Sequence, residues 1–65
     1  MGKISATIRT LREARGLTQV ELAKKARLTQ SHVSMIEAGE RTQLSIQTAQ
    51  KLARALGVPV GRLLE

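Results

Sequence analysis

Ile4, Ile8 and Leu11 recur at helical spacing and predict a first helix from about Ser5 to Arg15, with Gly16 ending the run as a left-handed cap. Leu22, Ala23 and Ala26 form the inward face of a second helix, Gln19 to Ala26, which points Gln19, Lys24 and Lys25 outward. Its small alanines let neighbouring helices approach closely. A third helix runs from Gln30 to Ala38. With Val33 and Ile36 at the centre of its buried face and a step of about 100° per residue, Ser31, Ser34, Met35 and Ala38 face away. Gln30 sits beside them in the first turn. Ala49, Leu52, Ala53 and Leu56 follow the i, i+3, i+4, i+7 rule in a fourth helix, capped by Ser45 and closed by Gly57. Pro59 suits the first position of a short fifth helix that ends at Leu63 and Leu64. Between the third and fourth helices, Glu40 to Leu44 reads as a polar loop.

The boundaries around the second and third helices are the most strongly marked. Thr18 and Glu21 form a Thr-x-x-Glu capping box, and Leu17 and Leu22 flank it at the spacing of a hydrophobic staple. Thr29 caps the third helix, with Leu28 and Val33 as its staple, and Gly39 stops it. Two short helices joined by so tight a turn cannot lie antiparallel. Residues 18–39 therefore read as a helix-turn-helix.

At 65 residues the chain is a single domain, able to bury roughly 60% of its unfolded surface and stable only if compact. With no cysteine and one histidine it can build neither a disulfide frame nor a Cys/His zinc site, so no metal or cofactor is expected. The absence of Phe, Trp and Tyr removes the platforms on which single-stranded bases stack. Eleven Lys and Arg against five Asp and Glu give a net charge of +6, which suits a polyanionic partner. The excess lies towards the N-terminal half, although Arg9 and Arg15 read as ordinary solvated surface. No apolar run approaches the ~20 residues of a membrane helix, and no secretory signal is present. The expected location is the cytoplasm.

Four stretches together, LREARGLTQ (Leu11 to Gln19), ELA (Glu21 to Ala23), LTQSHVSMIEAG (Leu28 to Gly39) and KLARALGV (Lys51 to Val58), resemble the XRE-type helix-turn-helix family of lambdoid phage repressors and Cro proteins. The resemblance implies an all-α, compact five-helix domain whose third helix enters the major groove of double-stranded DNA. The implied function is a sequence-specific transcriptional regulator, a repressor, acting as a homodimer on a palindromic operator and nucleoid-associated when bound. Protein-interaction modules of the same fold, antitoxins and restriction-modification controllers remain the alternatives.

For base contacts, Gln30 offers an amide that matches adenine N6 and N7, Ser31 and Ser34 can donate or accept, and Met35 can pack on a thymine methyl. The free amides that start the second helix, with Gln19, resemble the family's phosphate clamp. Arg41, Thr42 and Gln43 are candidates for a second phosphate. Arg27 stands where the family usually has glycine. Reaching a phosphate is one way to offset the resulting backbone cost, and drift in a tolerant turn is the other. Glu37 falls near the buried edge of the third helix and needs a partner, which the resemblance supplies as Arg12. Val58, Val60, Leu63 and Leu64 form the candidate dimer face, with core closure as the competing role for the last two. His32, beside Ser31 and Ser34, is the sole candidate catalytic base; it lacks an orienting carboxylate, and no enzymatic activity is expected.

Overall fold

Each helix start that a Ser or Thr marks in the sequence is closed by that side chain. Thr18 Oγ1 accepts from the Glu21 amide at 3.1 Å, Thr29 Oγ1 from the His32 amide at 3.0 Å, and Ser45 Oγ from the Thr48 amide at 3.1 Å. At Thr18 the box is complete, because the Thr18 amide donates in return to Glu21 Oε1 at 2.8 Å. These caps satisfy donors that a helix cannot satisfy internally, typically ~1 kcal/mol each.

The computed structural model describes residues 3–39 and 44–64, with the backbone alone for Lys3 and Leu64. Among these it contains five helices: α1 (Lys3–Ala14), α2 (Gln19–Ala26), α3 (Gln30–Glu37), α4 (Ile46–Leu56) and α5 (Val60–Leu64). Arg41, Thr42, Gln43 and the Leu64 side chain lie outside the described residues. Four boundaries differ from the pattern. α1 starts at Lys3 rather than Ser5 and ends at Ala14 rather than Arg15. α3 stops at Glu37, with Ala38 as its cap (φ −78). Pro59 precedes α5 instead of opening it, and its carbonyl accepts the Arg62 amide at 3.0 Å. End residues carry the least pattern information, since a terminal turn is held by few bonds.

Ile8, Leu22, Val33, Ile36 and Leu52 are fully buried, and with Leu11, Ala23, Ala26, Ala53, Leu56 and Leu63 they form one aliphatic cluster. α2 packs on α3 and α4, while α1 lies across α3, α4 and α5. Leu63, 1% exposed, is part of this core. It is therefore withdrawn from the candidate dimer face, because a side chain already buried in its own chain offers no surface to a second copy. Val58 and Val60 pack against the core only partly. No helix among the described residues is long and apolar enough to cross a membrane.

The helix ends share one device. In α1 the Gly16 amide donates to the Glu13 carbonyl and the Leu17 amide to the Arg12 carbonyl; in α4 Gly57 and Val58 repeat the pair onto Arg54 and Ala53. Both turns pass through a left-handed glycine, φ +68 and +73. α2 closes identically, Arg27 onto Lys24 and Leu28 onto Ala23. Here, however, the left-handed position (φ 57, ψ 44) is occupied by Arg27, the only non-glycine residue with positive φ among the described residues. A Cβ in that region costs about 1 kcal/mol. Arg27→Gly is thus expected to raise the melting temperature, by less than about 1 kcal/mol of stability because glycine also loosens the unfolded chain. A thermal melt that moves downward would mean the Arg27 side chain holds the fold.

Candidate nucleic-acid interface

α3 must bury one face and present another within eight residues. Val33 and Ile36 are fully buried and Glu37 nearly so, which turns Gln30, Ser31 and Ser34 to solvent and leaves Met35 half-buried. These four side chains line a single open depression of about 370 Å³. No charged group among the described residues borders it. Its lining offers an amide, two hydroxyls and a thioether, which can match hydrogen-bond patterns and apolar spots without bringing a charge of their own. His32 is half-buried on the same helix. Among the described residues no group of His, Cys, Asp and Glu could hold a metal ion.

A buried carboxylate sets the angle at which this face is presented. Glu37, its side chain 2% exposed, accepts from Arg12 Nε at 2.7 Å on Oε2, and from Arg12 Nη2 and Gln19 Nε2, both at 3.1 Å, on Oε1. Arg12 Nη1 also donates to the Leu17 carbonyl at 2.7 Å. The Glu37 hydrogen bond raises the Arg12 guanidinium above its ordinary pKa, against the lowering that burial brings. One network thereby joins α1, the turn after it, the first residue of α2 and the last of α3. The Gln19 and Leu17 contacts escaped sequence reasoning, since no local spacing links position 19 to position 37.

The start of α2 is the second part of the surface. The capping box uses the amides of Thr18 and Glu21, and the Leu22 amide bonds the Thr18 carbonyl at 2.9 Å. The amides of Gln19 and Val20 are left without an acceptor among the described residues. Two outward donors at a helix N-terminus make a site for an anion. Gln19, half-buried, spends one amide hydrogen on Glu37 and keeps the other. Arg27 is exposed at the opposite end of α2.

The helix-turn-helix family matches residues 8–63, which include the whole of this arrangement. The chain belongs to the XRE-type helix-turn-helix family. It is similar to the immunity repressor protein of Bacillus phage phi105, at 38% identity over 61 residues that make up 94% of this chain and 42% of the repressor. To the transcriptional regulator SinR of Bacillus subtilis it is 37% identical over 62 residues, 95% of this chain and 56% of SinR. The fold matches the crystal structure of SinR in complex with DNA with a TM-score of 0.92, covering 95% of this chain and 98% of that one. It matches the restriction-modification controller protein C.AhdI from Aeromonas hydrophila with a TM-score of 0.88 at 38% identity, covering 94% and 91%. The chain spans about half the length of the curated relatives it matches.

In this helix-turn-helix protein the Arg12–Glu37 pair is largely desolvated, at 11% and 2% side-chain exposure. Arg12→Met or Glu37→Leu alone should therefore cost ~3 to 5 kcal/mol, whereas the double replacement should cost much less, because no unpaired charge stays buried. Denaturant titration of the four proteins measures the coupling; simple additivity would show that the two groups do not act as a pair.

Proposed function

We propose that this chain binds double-stranded DNA sequence-specifically and regulates transcription, as a repressor, with α3 in the major groove. The observation that carries the reading is the uncharged outer face of α3, where Gln30, Ser31, Ser34 and Met35 gather around one depression. A helix facing only water gains from Lys and Glu there; a helix against base edges needs side chains that pair or pack without a stranded charge. α3 spans ~12 Å, which suits a groove of about that width. Gln30 then pairs with an adenine, the serines with neighbouring bases, and Met35 with a thymine methyl.

Phosphate is held at the start of α2, by the Gln19 and Val20 amides and the second amide hydrogen of Gln19. Glu37 aims that group, so the pair that stabilises the fold also orients a contact. That the related SinR has been crystallised in complex with DNA supports DNA as the partner of this fold. A single module buries too little surface for high specificity, and a two-fold dimer on a palindromic operator, with Val58 and Val60 at the contact, completes the reading. Its place of action is then the nucleoid.

Two measurements test it. Affinity for duplex DNA should fall steeply with salt, with single strands bound far more weakly, since counterions are displaced and no aromatic side chain can stack on a base. Equal affinity for single strands or a flat salt response would exclude the assignment. Gln30→Ala should lose ~1 to 3 kcal/mol of discrimination at one base pair in each half-site while leaving the salt slope nearly intact. Titration against an operator selected from a random duplex library, and each of its single-base variants, reads this directly. An unchanged preference profile would mean that α3 presents a different face.

A further inference from the structure

A second opening lies away from the depression on α3. Lys25 and Arg27 at the C-terminal end of α2, with Lys51 and Arg54 on the outer face of α4, surround a cleft of about 470 Å³ lined otherwise, among the described residues, by Ala26. α2 and α4 pack directly together, and with Ala23, Ala26, Ala49 and Ala53 all buried their axes can lie close. Cations from two helices are thereby brought around one space. None of the four has a carboxylate partner among the described residues, whose ion pairs involve only Arg9, Arg12, Glu13 and Glu37. Like charges around an opening repel one another, and an anion between them removes the repulsion.

Three observations define the anion. Among the described residues the cleft has no apolar anchor larger than Ala26, so an acidic protein surface would find no pocket for the buried side chains that dominate such interfaces, whereas a phosphodiester needs only charge and donors. Arg27 holds its strained left-handed backbone where glycine would sit without strain, and its side chain lines this cleft. Finally, Arg27 precedes the N-cap of α3 by two residues, so its Cα lies at most ~11 Å from that of Gln30. A groove wall about 12 Å from the opposite one is within reach of a guanidinium so placed.

We propose that Lys25, Arg27, Lys51 and Arg54 form a phosphate-binding cleft that grips the backbone of duplex DNA beside the groove occupied by α3, an assignment that rests on that placement of α3. It adds a sequence-blind hold at the end of α2 opposite the Gln19 amide.

The test uses Arg27→Gly and the double variant Lys51→Ala/Arg54→Ala, each titrated with operator and random duplex across a salt series, with melting temperatures alongside. Each phosphate contact removed should lower the log-log salt slope by about 0.9. Operator and random duplex should weaken by the same factor, with the base-preference profile unchanged. Arg27→Gly should weaken binding while melting at a higher temperature, a combination that loss of folding cannot produce. If both variants keep the wild-type slope and affinity while Gln30→Ala still relaxes base preference, the cleft is bare solvated surface and this inference alone falls. If the wild-type protein shows no salt-dependent duplex binding, the placement of α3 falls first and the cleft with it.

Discussion

The carboxylate of Glu37 is the constraint around which the domain is arranged. A nearly dehydrated carboxylate is tolerable only when its oxygens are filled by donors, and here three hydrogen bonds from two side chains fill them. Because those donors come from α1 and the first residue of α2, satisfying one charge fixes three helices relative to one another. An aliphatic trio of similar volume could fill the same space with comparable stability. It would supply no directional bonds, and the angle between α2 and α3 would rest on packing alone.

With that angle held, α3 can divide its few residues between two duties. Its inner face is spent on Val33, Ile36 and Glu37, and its outer face carries no charge at all. The described cations sit elsewhere, on α1, α2, α4 and α5 and in the turns after α1 and α2. This separation is what readout of base edges requires, since a lysine on the reading face would add affinity for every sequence and discrimination for none. In the proposed DNA complex the positive field and the reading face are then borne by different elements of one domain.

Arg27 is where the backbone carries a local cost. The turn from α2 to α3 uses the same two backbone bonds as the glycine turns after α1 and α4, so the geometry itself is ordinary. Only the residue is costly. In the proposed cleft the gain is a positive charge beside the start of α3, and in a domain with a core of a dozen aliphatic side chains the cost can be carried because the caps and the Glu37 network are satisfied among the described residues.

The chain's local features were legible from residues alone. The number and order of the helices, the caps at Thr18, Thr29 and Ser45, the glycine turns at Gly16 and Gly57 and the outward set on α3 all depend on neighbours within about one turn, where spacing and side-chain type decide the outcome. The need of Glu37 for a partner was also visible, because a charge adjacent to Ile36 and Val33 on one helical face has nowhere solvated to go. Tertiary structure decided the rest. That Leu63 belongs to the core, that Gln19 shares the carboxylate with Arg12, and that cations from positions 25 and 27 meet those from 51 and 54 are consequences of how separate helices cross. No periodicity along the chain encodes the crossing, since it is set by which buried side chains fit together once every helix has formed.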